Sequence, residues 1–337
     1  LIVAILSVVY AWYLADTDYV KLLPHRLRTA FRLRPAQLSL FRLYDYCSTA
    51  PLKPLASNRK LLRYRPPDHE DCVPNLCAYP MVFHRDHVPV MPRRCTHNYE
   101  NCVRNRVIQE TPDGGSAWEA VLIPDYVKDA AIAAGTHLQP LSFEEWVERF
   151  PAPKRARLIR ELQDAYPEIL TDREWNASKV FIKREFYVST SKAPRPIHSS
   201  LVELNFGVGR WLIPFLERFA LELPDHILFP LHGDSLEIGN FIADYALAAG
   251  SIVENDFSAF DSTQSSPILL LIIEVFRLGG FPEEVLRRMT LDTKMVKVRG
   301  PYGLSYTVRG LRLSGRSETL GGNTIASIIL AHHVFGD

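Results

Sequence analysis

The chain is poor in the residue that staples small secreted domains: it has five cysteines in 337 positions, an odd number at irregular spacing. That argues against a disulfide framework and for a reducing compartment. It also lacks an excess of either charge, because 39 Lys and Arg face 38 Asp and Glu, for a formal net charge of +1. Any binding of polyanions must therefore come from local patches. There is no CxxC pair, no HxxxH pair, no internal repeat and no low-complexity tract. Ordinary zinc fingers and solenoids are thereby left out. What remains is a globular composition, 47% apolar and 23% charged, long enough for two domains or one large domain with an extension.

Long hydrophobic runs are scarce too. The exception is the opening, LIVAILSVVYAWYLA, fifteen residues without a charge. A bilayer-spanning helix takes about 20 apolar residues, so this run is short by itself. Lys21, Arg26, Arg28, Arg32 and Arg34 follow it, as on the cytoplasmic flank of a membrane helix. No small-x-small cleavage site follows, which disfavours a signal peptide. Residues 1–40 are read as a membrane anchor with a basic juxtamembrane segment; the alternative is a buried core helix. The first residue is Leu1 rather than Met, and the last, Asp337, closely follows a helical run. The sequence is therefore expected to be a fragment.

The charge is unevenly spread. From Asp16 to Arg65 eleven Lys and Arg face three acids, and from Asn176 to Phe219 seven face three. Residues 41–115 form a loop-rich extension, with Cys72, Cys77, Cys95 and Cys102 near His69, His84, His87 and His97. Zinc takes such ligands, but the spacing and four prolines from Pro74 to Pro92 favour free, partly buried thiols.

Helical patterns follow between Ala117 and Gln163; in LSFEEWVERF, Ser142 is an N-cap with Glu145 in the capping-box position. ASKVFIKREF reads as a strand. VGRWLIPFLERFALEL reads as a helix that Pro214 interrupts or kinks. Ser251 to Asp256 is a short strand. SSPILLLIIEVFRLGG is a helix with Pro267 in its first turn and Gly279 and Gly280 at its end. MVKVRG and YTVRGLRL form a strand pair around the PYG turn, and SGRSETLGGNTIASIILAHHV is a glycine-punctuated loop entering a helix.

Three constellations carry chemistry. In VENDFSAFDSTQSS, Asp256 ends a strand and Asp261 lies five positions on, past a turn. A carboxylate held at a strand end suits a hard cation, which takes one or two carboxylates plus substrate phosphates. The bland reading is a pair of solvated acids. In SGRSETLGGNT a helix starting near Arg316 puts Thr319 and Asn323 on one face. Gly315, Gly321 and Gly322 leave that surface bare enough for a backbone or base to approach, unless the glycines serve a tight helix–helix contact. In KVFIKREFYVSTSKAPRPIHSS, Lys183 and Glu185 face one side and Arg184 the other, and Lys192 and Arg195 return after the turn. Fixed cations of this kind hold a triphosphate; a solvated basic hairpin is the plain alternative.

Together these segments resemble motifs F, A and B of the RNA-dependent RNA polymerases of positive-strand RNA viruses. Ser314, Gly315, Thr319, Asn323 and Thr324 match motif B throughout. NDFSAFDSTQ is similar to motif A of hepeviruses and the alphavirus-like group. The basic hairpin, ELNFGVGRWLIPFLERF and CTHNYENCVRNRV are closer to tombusvirus- and nodavirus-like replicases. The resemblance runs from about Cys95 onward.

It implies an α+β right-hand polymerase fold with fingers (residues 116–250, including motif F) and a partial palm (residues 251–337), the thumb absent. It implies Asp256 as a ligand of catalytic Mg²⁺ (or Mn²⁺ in its place), with the peptide oxygen of Phe257 a further ligand. Asp261 and Asn323 would recognise the ribose hydroxyls, and Ser314, Gly315 and Thr319 would position that network. Lys183, Arg184, Lys192 and Arg195 would line the nucleotide channel. The implied partners are RNA template and product, nucleoside triphosphates and a membrane. The implied place is the host cytoplasm, at the cytoplasmic face of an intracellular membrane.

One departure matters: no Gly-Asp-Asp motif is found. The terminal FGD lies only thirteen positions after Asn323, within what reads as the same helix, so this piece is expected to be inactive although its parent is an enzyme. Two other classes stay open, a reverse transcriptase and a membrane-anchored RNA-binding scaffold with a degenerate polymerase fold. The acid at Asp261 disfavours the first, which normally has an apolar or aromatic residue there.

Overall fold

The computed structural model describes residues 45–55, 61–68, 91–108, 120–162, 171–185, 187, 189–231, 235–246 and 260–336. The apolar opening and its basic flank, His69, Cys72, Cys77, His84 and His87 lie outside these residues, as do the strand expected at Ser251 to Asp256 and Asp337. So do Asp256 and Phe257.

The chain is mixed α and β. The short strands β1 (Asp45–Tyr46) and β3 (Met91–Pro92) pair in parallel. The main sheet holds β2 (Leu61–Arg65), β4 (Ala177–Ile182), β5 (Pro196–Ser199), β6 (Val296–Arg299) and β7 (Ser305–Val308) in the order β2-β7-β6-β4-β5. Only β4 and β6 run parallel; the other pairs are antiparallel. Burial alternates along β4, β6 and β7, as period-2 patterning dictates. Val180, Ile182, Val296, Val298, Tyr306 and Val308 thereby face one core, shared with Tyr99, Cys102 and Val103 of α1 (Thr96–Cys102) and its π-helical continuation Val103–Val107.

A second core is helical. α2 (Asp125–Gly135), α6 (Val202–Glu222), α9 (Ser266–Leu278), α10 (Glu283–Lys294) and α11 (Thr319–Phe335) bury Phe215, Phe219, Ile272, Phe276, Leu286 and Ile325 together. Beside it, α3 (Phe143–Glu148) and α4 (Ala152–Leu162) pack Trp146 and Leu158 on Phe206. The capping box of Ser142 and Glu145 is present. Short helices α5 (Asp172–Trp175) and α8 (Phe260–Thr263) and the longer α7 (Ser235–Ala246) complete the set.

Two expectations need correction. Pro214 neither breaks nor ends α6, which runs unbroken for 21 residues. A proline frees the carbonyl four residues back, and here that carbonyl, of Arg210, accepts instead from the Leu141 amide at 2.9 Å. The final helix starts at Thr319 rather than near Arg316. The residues before it wrap around the sheet edge, with the Ser314 carbonyl accepting from the His198 amide at 2.7 Å.

Cys47, Cys95 and Cys102 are buried thiols, with Cys47 Sγ 3.5 Å from Cys95 Sγ. Among the described residues no group of three or more His, Cys, Asp or Glu is placed to hold a metal, and no helix is long and apolar enough to cross a membrane.

Candidate nucleotide site

The site is built where α8, the start of α9 and the first turns of α11 meet. Asp261 stands on α8, and its Oδ1 accepts from Asn323 Nδ2 at 2.7 Å. Asn323 lies one turn into α11, and its Oδ1 accepts from Gln264 Nε2 at 2.7 Å. Gln264 Oε1 in turn accepts from Arg312 Nε at 2.6 Å. Arg312 Nη1 also donates to the Glu318 carbonyl at 3.3 Å. The chain therefore runs from a buried cation to a half-buried carboxylate: Gln264 is 0% and Arg312 6% exposed, while Asp261 and Asn323 are half-buried. Burial pulls the Arg312 pKa below the ordinary guanidinium value, and the charges of Glu318 and Asp261 act against that.

Two of the other motif residues act through backbone. Thr319 Oγ1 donates to the Leu313 carbonyl at 2.9 Å, tying the helix start to the preceding loop. Gly315 has φ +95°, and a Cβ there would stand 2.8 Å from Ile197 Cγ2 and 3.0 Å from the His198 carbonyl. Only glycine adopts that turn readily and passes this close to β5. Behind it His198 is buried, its Nε2 2.5 Å from the Tyr306 hydroxyl. Burial drives its pKa down to about 3, although the Ser314 carbonyl raises it.

Gly321 and Gly322 are another correction. Both are buried and offer no bare surface to a base. A Cβ on Gly321 would stand 2.6 Å from Leu216 Cδ1 of α6, and one on Gly322 would stand 2.7 Å from Arg312 Nη1. The helix–helix contact holds for Gly321, which meets α6, whereas Gly322 leaves room for the Arg312 side chain of the preceding loop.

The basic hairpin is a separate cluster. Lys183 Nζ lies 2.9 Å and Arg195 Nε 3.7 Å from the Glu185 carboxylate, which also accepts from the Tyr187 hydroxyl at 2.8 Å. Burial alone would raise the Glu185 pKa; hydrogen bonds from Lys183 and Tyr187, with the charges of Lys183 and Arg195, outweigh it and hold the group ionised. Arg184 points elsewhere, its Nε 3.2 Å from Met91 Sδ. The backbone at the hairpin tip is braced: the Lys192 carbonyl accepts from Ser48 Oγ at 3.1 Å and the Ala193 carbonyl from Arg106 Nε at 3.0 Å. All four predicted cations are exposed. Strand β5 leads from Arg195 to His198, whose amide holds the Ser314 loop.

The structure thus brings Asp261 and Asn323 into contact, puts Thr319 at the start of the helix that carries Asn323, and sets Ser314 and Gly315 against β5. It groups Lys183 with Arg195 and leaves Arg184 apart. Sequence reasoning passed over Gln264 and Arg312. Gln264 sits inside the quoted DSTQ, but nothing local marks its partner. Arg312 falls in a run read as strand, whereas β7 stops at Val308.

Residues 197–336 match the sequence model of a family described as RNA dependent RNA polymerase. Over 168 residues the chain is 24% identical to the RNA replication protein of Indian citrus ringspot virus, an alignment covering 48% of this chain and 10% of that protein. The chain thus spans about a tenth of the curated relative it matches. The matched segment contains Asp261, Gln264, Arg312 and Asn323, whose side chains form the hydrogen-bonded chain above. Residues 197–336 are thus a region similar to the RNA-dependent RNA polymerases of positive-strand RNA viruses.

Proposed function

We propose that the protein carrying this chain performs template-directed RNA synthesis, joining nucleoside triphosphates on an RNA template, and that the described residues are fingers and part of a palm. In this reading the Asp261–Asn323 pair holds the ribose of the incoming nucleotide. The observation that carries it is their 2.7 Å hydrogen bond, made between residues 62 positions apart. A carboxylate oxygen accepts from a hydroxyl and a carboxamide N–H donates to one, so the pair can address adjacent ribose hydroxyls together. A site built to bond a hydroxyl strongly rejects an analogue lacking it, because its own polar groups are left unpaired.

Mg²⁺ fits the donor chemistry expected here, hard carboxylate oxygen with no thiolate among the described site residues. Asp261 commits Oδ1 to Asn323, which suits a ligand-facing role, and Asp256 with the Phe257 carbonyl would hold the metal. When bound, the ion would neutralise charge on the reacting phosphates. Lys183 and Arg195, aligned by Glu185, hold the triphosphate in the orientation an in-line displacement needs. Lys192, exposed at the tip of the same hairpin, would add a further cation to the channel, and Arg184 braces the hairpin on Met91. Residues 1–40 would place the enzyme at the cytoplasmic face of a host membrane.

Primer extension by the full-length replicase with ribo- and deoxyribonucleotides tests this. Asp256→Ala is expected to abolish synthesis and leave RNA binding intact. Asp261→Ala is expected to keep synthesis measurable while losing the preference for ribonucleotides. RNA binding without synthesis by the wild-type protein would favour the RNA-binding scaffold, wild-type synthesis by Asp256→Ala would remove Asp256 from the metal site, and a wild-type enzyme preferring deoxyribonucleotides would favour a reverse transcriptase.

A further inference from the structure

We propose that Arg312 and Gln264 are positioning residues that set the hydrogen-bonding polarity of Asn323, and through it the selection of ribose; this rests on the nucleotide-site reading above. The argument starts from donor inventories. A guanidinium only donates, so the Gln264 atom 2.6 Å from Arg312 Nε must be its oxygen. The Gln264 NH₂ is then the group 2.7 Å from Asn323, whose facing atom must be its oxygen. The Asn323 NH₂ is therefore turned to Asp261, which accepts at 2.7 Å. Neither carboxamide is free to flip, because Asp261, when ionised, only accepts at one end of the chain and Arg312 only donates at the other. Arg312 is held at its end by burial and by the Glu318 carbonyl at 3.3 Å. The chain leaves Asn323 with a second N–H, and Asp261 with a second oxygen, to meet the ligand.

Gln264→Glu tests the polarity without emptying the space. Glutamate still accepts from Arg312, but it offers Asn323 only acceptors. Asn323 then stands between two accept-only carboxylates and its NH₂ cannot face both, so the Asp261 contact is weakened by competition. In the full-length replicase, the ribo- to deoxyribonucleotide incorporation ratio should fall by about tenfold, the size of one lost hydrogen bond. Adding Asp261→Asn to Gln264→Glu supplies a donor and re-forms the contact with reversed polarity. The double variant should therefore melt higher than the sum of the single effects predicts. Gln264→Met, which removes both bonds, should lower the ratio as well.

If Asp261→Ala loses ribose preference while Gln264→Glu and Gln264→Met keep the wild-type ratio, the relay is wrong and the site reading stands. If Asp261→Ala keeps the preference, the site reading falls. The thermal cycle then decides the relay alone, and additive melting shifts for Gln264→Glu and Asp261→Asn would overturn it.

A different observation, the strand register, carries a second proposal: the geometry points to a track for a single RNA strand on the outer face of the main sheet. Lys179 pairs with Arg299, Arg299 with Ser305 and Ser305 with Arg65; Lys297 pairs with Thr307 and Thr307 with Arg63. Paired residues share a face, so five cations lie together, all exposed. Arg65 pairs with Asp68 at 3.4 Å. Phe181, 38% exposed and two residues beyond Lys179, adds a ring on which a base can stack. Three of the five cations are arginines, whose planar forks suit phosphate oxygens.

The test is anisotropy of a labelled oligouridylate with the full chain carrying Arg63→Glu, Lys297→Glu and Arg299→Glu, alongside sedimentation with phosphatidylserine vesicles. RNA binding should weaken at least tenfold, and its slope against salt should fall by about 2. An unchanged melting temperature would show the fold intact. Loss of vesicle binding with RNA binding unchanged would make the face a membrane surface instead. Loss of neither would make it an ordinary solvated face. Either result overturns the proposal.

Discussion

Replacing Gly322 by alanine sets two effects of estimable size against each other. Alanine inside a helix is favoured over glycine by about 1 kcal/mol. The new methyl, however, would stand 2.7 Å from Nη1, 2.8 Å from Nη2 and 2.9 Å from Cζ of Arg312. Non-bonded heavy atoms are most comfortable at about 3.5–4.0 Å, so the guanidinium has to retreat. An arginine tip on a surface would do so at little cost. This one is 6% exposed and held by Gln264 Oε1 and the Glu318 carbonyl. Losing a hydrogen bond to a charged group costs about 1.5–3 kcal/mol, and stranding the charge in the interior costs more. The clash should win, for a net loss of about 2 kcal/mol after the helix gain is subtracted.

For a chain of 337 residues that is a fall in melting temperature of about 3 °C, measured by far-ultraviolet circular dichroism. The decisive control is Arg312→Met, which keeps most of the volume and removes the charge and its donors. In that background Gly322→Ala should be neutral or stabilising, because only the helix term is left. A rise in melting temperature in the wild-type background would refute the reasoning, as would the same fall in both. Either result would mean that Arg312 moves freely and does not hold Gln264.

Other perturbations test neighbouring claims. Gly321→Ala meets the Leu216 side chain, at 2.6 Å from Cδ1 and 3.0 Å from Cδ2, which carries no charge or hydrogen bond to lose, so its melting temperature should fall by less than that of Gly322→Ala. Buried His198 titrates at about 3, against 6.5 for a free imidazole. The unfolded chain therefore takes up a proton first, and stability should be full above pH 6.5 and fall by about 1.4 kcal/mol per unit as pH drops toward 3. Urea denaturation of wild type and His198→Gln across pH 7 to 4 should show a shallower slope in the variant. Glu185→Ala removes the carboxylate that aligns Lys183 and Arg195; with these side chains 45% and 57% exposed the effect is screened, and KM for nucleotide should rise by no more than about fivefold with kcat little changed.

Local physics made much of this legible in advance. Ser142 with Glu145, Pro267 at a helix start, Gly279 and Gly280 at its end, and the β6–β7 hairpin are set by residues within a few positions of one another. So is the likeness to a viral polymerase, which the family match over residues 197–336 bears out. What stayed hidden depends on distant segments meeting. Pro214 looked like a break because its rescue comes from the Leu141 amide, which pattern reading cannot pair with Arg210. Gln264 and Arg312 are 48 positions apart and look like ordinary polar residues until the chain folds.

The glycines make the same point from the other side. Read locally, a Gly pair in a helix costs stability and suggests an open surface for a ligand. In the folded chain each is filled by a different neighbour, Leu216 for one and the Arg312 guanidinium for the other. The second neighbour is also the first donor in the chain that ends at Asp261. A helix that used alanine at position 322 would gain propensity and lose the space for that donor. In the proposed site the glycine would thus serve nucleotide recognition without facing the nucleotide, by leaving room for the buried cation at the donor end of the chain.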